Sequence, residues 1–96
     1  MKLSILDQGP ISQGQSPQQA LENMREAVQL ADKLGYHRFW FAEHHNTEVF
    51  ASSAPEISMA HLSALTKNIR LGSGGTMMMH YSPYKMAETF KTLSAF

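Results

Sequence analysis

Hydrophobic and polar positions along the 96 residues alternate between two kinds of pattern. A short apolar stretch, Leu3-Ser4-Ile5-Leu6, reads as a strand and stops at the loop signal Asp7-Gln8-Gly9-Pro10. Residues 7–16 are polar and rich in Gly, Ser and Gln, which predicts a loop. Ser16-Pro17-Gln18-Gln19 has the composition of a helix start: a serine cap, proline at the first helical position and glutamine at capping-box spacing. Leu21, Met24, Val28, Ala31 and Leu34 then recur at helical spacing, with Glu22, Arg25, Glu26, Gln29 and Asp32 between them. Gly35 stands where a left-handed helix end is expected.

The segment Arg38-Phe39-Trp40-Phe41-Ala42 has strand composition with almost no polar alternation, which predicts a strand buried on both faces of a parallel sheet. The polar cluster Glu43-His44-His45-Asn46-Thr47-Glu48 follows it at once. Ser53-Ala54-Pro55-Glu56 again has capping-box spacing and predicts a second helix to about Lys67. That helix carries two apolar stripes, Ile57, Ala60, Ala64 and Leu65 on one and Met59 and Leu62 on the other, so it is expected to be covered on both sides. His61 is read as a core or interface histidine. A third strand, Ile69–Ser73, leads into Gly74-Gly75-Thr76. After a loop at Met77–Tyr81, Ser82-Pro83 starts a third helix with Met86, Phe90, Leu93 and Phe96 inward.

Strands alternating with helices imply right-handed crossovers and a parallel α/β sheet. Three such strands leave two edges with unpaired backbone groups. A closed (β/α)₈ barrel takes about 250 residues, so the expectation is a partial TIM barrel: residues 1–96 as a single fragment holding about the first three βα units.

Composition narrows the chemistry. A 43% hydrophobic and 17% charged chain is globular. Eight basic and eight acidic residues cancel, which argues against a nucleic-acid partner. The absence of cysteine removes disulfides, thiolate metal sites and cysteine nucleophiles. No apolar run approaches a signal-peptide core or a membrane span, so a cytoplasmic location is expected. The seven methionines are read as adaptable core packing.

In a parallel barrel, function gathers at the carboxyl ends of the strands. Asp7–Pro10, Glu43–Asn46 and Gly74–Thr76 all fall there. Imidazole exchanges protons near neutral pH, so His44-His45 suits acid–base work, with adjacent side chains pointing opposite ways. The alternative is a pair of loop histidines bonded to Glu43, Glu48 or backbone. A metal site from Glu43, His44, His45 and His80 matches no ligand spacing and is not expected. Gly72-Ser73-Gly74-Gly75 lets backbone approach a planar ligand, or simply makes a strand-to-loop turn; it matches no phosphate-binding glycine motif.

Several of these segments resemble the bacterial luciferase-like flavin monooxygenases. They are Leu6–Ser12, Gly35–Trp40, Ala42–Asn46, Ala51–Glu56, Ile69–Gly75 and His80–Lys85, in order and with the family's spacing. The resemblance implies a TIM barrel that binds reduced FMN at its carboxyl-terminal rim and activates O2 toward a small organic substrate, with a flavin reductase as partner. It implies His44 as the catalytic, proton-handling residue and Glu43, Gly74, Gly75 and Thr76 as the cofactor-binding set. Gly74-Gly75 matches a non-prolyl cis peptide lying against the flavin ring. The family's dimerisation through its second and third helices implies a homo-oligomer. Met79 stands where relatives carry proline, and the strands that grip the flavin phosphate lie beyond the third. The 96-residue chain is therefore expected to be inactive alone. The alternatives are a self-associating barrel piece without catalysis, or a flavin-binding protein without turnover.

Overall fold

The computed structural model describes all residues, Met1–Phe96. Its elements run β1 (Ser4–Asp7), α1 (Pro17–Lys33), β2 (Arg38–Phe41), α2 (Pro55–Ser63), β3 (Arg70–Ser73) and α3 (Pro83–Ala95), with a 3₁₀ turn at Met78–His80. The three strands form one parallel sheet in the order β1-β2-β3. In this register Ile5, Phe39 and Leu71 lie abreast, as do Leu6, Trp40 and Gly72.

The termini of α1 are fixed locally. Ser16 accepts the Gln19 amide at 3.1 Å, and Pro17 occupies the first turn. Gly35 takes the left-handed turn (φ +80°) that side-chain-bearing residues avoid. Ser82 caps α3 in the same way, accepting the Lys85 amide.

One face of the sheet carries the core. Phe39 and Phe41 are fully buried against Met24, Val28 and Ala31 of α1 and Met59 and Leu62 of α2, with Ile69 completing the cluster. Side chains alternate across a strand, so Leu6, Arg38, Trp40 and Arg70 take the opposite face. There Trp40 is half-buried, Leu6 is exposed, and the Arg38 guanidinium lies 4.8 Å from the Trp40 ring. β2 is thus covered on one face and half-open on the other, where burial on both was expected.

Helix α2 departs from expectation in three ways. Of its two apolar stripes only Met59 and Leu62 are buried; Ile57 and Leu65 are exposed, and so is His61. No side chain caps its start, because Ala54 rather than Ser53 is the capping residue. It stops at Ser63 instead of about Lys67 because its continuation is captured elsewhere. The Thr66 hydroxyl donates to the Leu62 carbonyl, and the amides of Lys67, Asn68 and Ile69 all donate to Asp32 at 2.8–2.9 Å. In α3, Met86 is buried and Phe90 and Leu93 are half-buried, whereas Phe96 is exposed. No helix is long and apolar enough to cross a membrane.

Candidate functional site at the carboxyl ends of the strands

The three loops that leave β1, β2 and β3 are tied together by backbone. Ile11 donates to the Val49 carbonyl and Ala51 to the Gly9 carbonyl, pairing the first loop with the second around a Pro10–Phe50 bridge. The Ser52 hydroxyl donates to the Ala42 carbonyl at 2.6 Å, and the Ser52 carbonyl accepts the His44 amide at 2.9 Å. Ser52 is 1% exposed, so this double contact fixes the chain just where β2 hands over to the histidines. The sequence marks Ser52 as nothing more than a loop serine; its importance depends on a partner ten residues away.

These loops enclose a cleft of about 560 Å³ lined by residues from all three. Leu6 comes from the end of β1 and Gln8 from the first loop, Glu43, His44 and His45 from the second, and Gly74, Gly75, Thr76 and His80 from the third. Every residue expected at the site, His44, Glu43, Gly74, Gly75 and Thr76, therefore borders one cavity.

Their roles in it differ. The His44 ring stacks on Phe50 with centroids 4.5 Å apart, and its Nε2 is enclosed without a hydrogen-bond partner. Glu43 borders the cleft through its backbone alone, since its side chain is 0% exposed. Its Oε2 accepts from His45 Nε2 at 2.7 Å, the Tyr81 hydroxyl at 3.0 Å and the Met77 amide at 3.3 Å. Burial, and then the bond to Glu43 and the charges of Glu43 and Glu56, hold the Tyr81 hydroxyl above its ordinary range. Tyr81 thus remains a hydrogen-bond donor across the physiological range. Neither His45 nor Tyr81 belongs to the expected set, and the Glu43–Tyr81 contact spans 38 positions that no local spacing reveals.

The peptide between Gly74 and Gly75 is cis, at the position where the family resemblance implies one. A side chain at Gly75 would meet nothing within 4 Å, so the backbone there faces open space, whereas a Cβ at Gly74 would lie 3.3 Å from Trp40 and 3.4 Å from Leu6. Gly72 has a different reason to be glycine: a Cβ there would lie 2.8 Å from the Trp40 ring. Thr76 is anchored by its hydroxyl, which donates to Ser73 Oγ at 2.9 Å. No three His, Asp or Glu side chains converge as a metal-binding set.

Comparison with known proteins decides the family. The profile described as luciferase-like monooxygenase matches residues 1–96. The chain belongs to the luciferase-like monooxygenase family. An N-acetyl-S-alkylcysteine monooxygenase of Bacillus subtilis is 50% identical over 99% of the chain, which spans 28% of that relative. The oxygenase component of a flavin-dependent trigonelline monooxygenase from Acinetobacter baylyi is 34% identical over 80% of the chain and 21% of its own length. Among solved structures, apo-MsnO8 superposes with a TM-score of 0.95 at 49% identity, covering 98% of this chain and 29% of that one. The oxygenating constituent of 3,6-diketocamphane monooxygenase from Pseudomonas putida, solved with FMN, gives a TM-score of 0.89 at 23% identity over 99% of this chain and 26% of its own. The last likeness speaks to the fold alone. Three parallel strands alternating with helices match the start of the luciferase-like TIM barrel, and the chain spans about a quarter of the relatives' length.

Proposed function

We propose that this chain supplies the histidine-bearing sector of an FMN-dependent monooxygenase site that uses O2 on a small organic substrate. The observation that carries this reading is the meeting, in one cleft, of the Gly74-Gly75 backbone, open beyond Gly75, and two histidines. A planar ring would lie against Gly75, where nothing stands within 4 Å, with Trp40 and Leu6 packed against Gly74 beside it. Gly74, Gly75 and Thr76 would hold the flavin ring, with Glu43 supporting the diglycine loop through its bond to the Met77 amide. Reduced FMN, when bound, supplies the electrons that activate oxygen.

The chain's own residues do the rest of the work. Ser52 fixes the backbone of His44, and Phe50 holds its ring, so the imidazole is set in place for proton exchange at the cleft it borders. General acid–base groups of this kind contribute roughly 100- to 10,000-fold to a reaction. A flavin reductase is the partner that this chemistry calls for, in keeping with the naming of the trigonelline relative as an oxygenase component. That relative and the N-acetyl-S-alkylcysteine enzyme act on small organic molecules, which supports a substrate of the same general size.

The experiment is a transplant. Residues 1–96 replace the matching segment of the N-acetyl-S-alkylcysteine monooxygenase, and FMN-dependent turnover is measured with an added reductase. Turnover is expected, and His44→Ala in the chimera is expected to lower it roughly 100- to 10,000-fold. A folded, FMN-loaded chimera in which His44→Ala changes nothing would remove the role given to His44.

A further inference from the structure

Glu43 gathers all of its partners through one oxygen. Oε2 meets His45, Tyr81 and the Met77 amide, while Oε1 is enclosed with no partner. The Met77 amide is only a donor, and Tyr81 donates its hydroxyl proton. An oxygen surrounded in this way is an acceptor, and the third neighbour, His45 Nε2, is then also a donor. The carboxylate is fully buried whereas the His45 side chain is 39% exposed and borders the cleft. With Nε2 bonded to the buried Glu43, Nδ1 is the nitrogen left for the cleft that the ring borders, and the His80 ring stands edge-on to the His45 ring with centroids 5.3 Å apart.

We propose that Glu43 and Tyr81 are positioning residues that hold His45 as the Nε2–H tautomer, so that its Nδ1 lone pair faces the cleft as a proton acceptor. Second groups that orient an imidazole in this way fix both its tautomer and its direction. The step it permits is a simple transfer. A ligand O–H or N–H gives its proton to Nδ1 and keeps the bonding pair, and the buried Glu43 carboxylate offsets the charge left on the ring. His44 and His45 then serve the cleft as two separately held proton carriers, one against Phe50 and one against Glu43. Tyr81 lies just past the 3₁₀ turn that follows Gly74–Gly75, so its hydroxyl also ties the diglycine loop to the histidine loop. The use of this proton in turnover rests on the flavin reading; the tautomer and its cause do not.

The test uses the ¹⁵N-labelled 96-residue chain without flavin, at about pH 8, above the ordinary imidazole range. Long-range ¹H–¹⁵N correlation should give His45 a protonated Nε2 and a bare Nδ1. Its Nε2–H proton should be directly visible because hydrogen bonding slows its exchange. Tyr81→Phe should speed that exchange about five-fold, the loss expected for one hydrogen bond, and move the His45 ring nitrogens while leaving the β1–β3 amides in place. Glu43→Ala should erase the visible proton. Should that variant fail to fold, Tyr81→Phe alone still decides, since it removes a single hydroxyl. A protonated Nδ1 in the native chain, or a His45 ring indifferent to Tyr81→Phe, would overturn the proposal. Because no flavin enters the measurement, its failure is distinct from a failure of the monooxygenase reading.

Discussion

Asp32 sits in the last turn of α1 and draws three successive amides, those of Lys67, Asn68 and Ile69, onto one carboxylate. The bonds from Lys67 and Asn68 lead in holding its pKa below the ordinary 3.8, with burial opposing them. A folded-state value below the unfolded one contributes stability that is present above about pH 4 and fades as pH falls through the folded value. Asp32→Asn should therefore cost about 1–2 kcal/mol at pH 7, discounted for the half-exposed position, and progressively less toward pH 3. Denaturant melts at the two pH values measure this; an equal loss at both would exclude the linkage. Gly72 allows a second residue-level forecast. Gly72→Ala would press a methyl group against the ring of Trp40, the chain's one tryptophan, and should destabilise the fold by about 1–3 kcal/mol. Trp fluorescence should shift as the ring is displaced, and an unchanged spectrum would mean that the sheet gives way instead.

At the scale of elements, the helix starts are the most local features of the chain. Ser16→Ala should cost about 1 kcal/mol, seen as a lower melting temperature. The same change at Ser53 should cost nothing comparable, since α2 has no side-chain cap. These differences mark how far the sequence could be read. Ser16-Pro17 and Gly35 declare the ends of α1 because a cap and a left-handed turn are decided within a few residues. The strand–helix alternation and the placement of three loops at one rim follow from the same short-range patterns. The buried side of α2 was not legible. Both of its stripes are apolar, and only the position of the sheet selects Met59 and Leu62 over Ile57 and Leu65. Its early end was hidden as well, because Asp32, over thirty residues earlier in the chain, takes the amides that would have prolonged it. At the site, the resemblance named Glu43, His44 and the diglycine, and the alternative of loop histidines bonded to Glu43 describes His45, but Ser52 and Tyr81 gain their roles from contacts made only after folding.

At the scale of the whole molecule, one face of the sheet is packed and the other leaves Leu6 and part of Trp40 open, while Ile57 of α2 and Tyr84 of α3 are exposed on the helices. Apolar surface of this kind favours association, so light scattering should give a mass above that of one chain. A strictly monomeric solution would count against oligomers built through α2 and α3. The cleft is bounded by three loops on a sheet with two free edges, and its lining holds no lysine or arginine to pair with a phosphate. Titration of FMN fluorescence with the isolated chain should accordingly show no micromolar binding. The central claim is that these residues form the working histidine side of a flavin monooxygenase site, and the chimera with the N-acetyl-S-alkylcysteine enzyme tests it most directly. Measured turnover in that chimera should be FMN-dependent and should collapse with His44→Ala; a chimera that folds and binds FMN yet never turns over would contradict the claim.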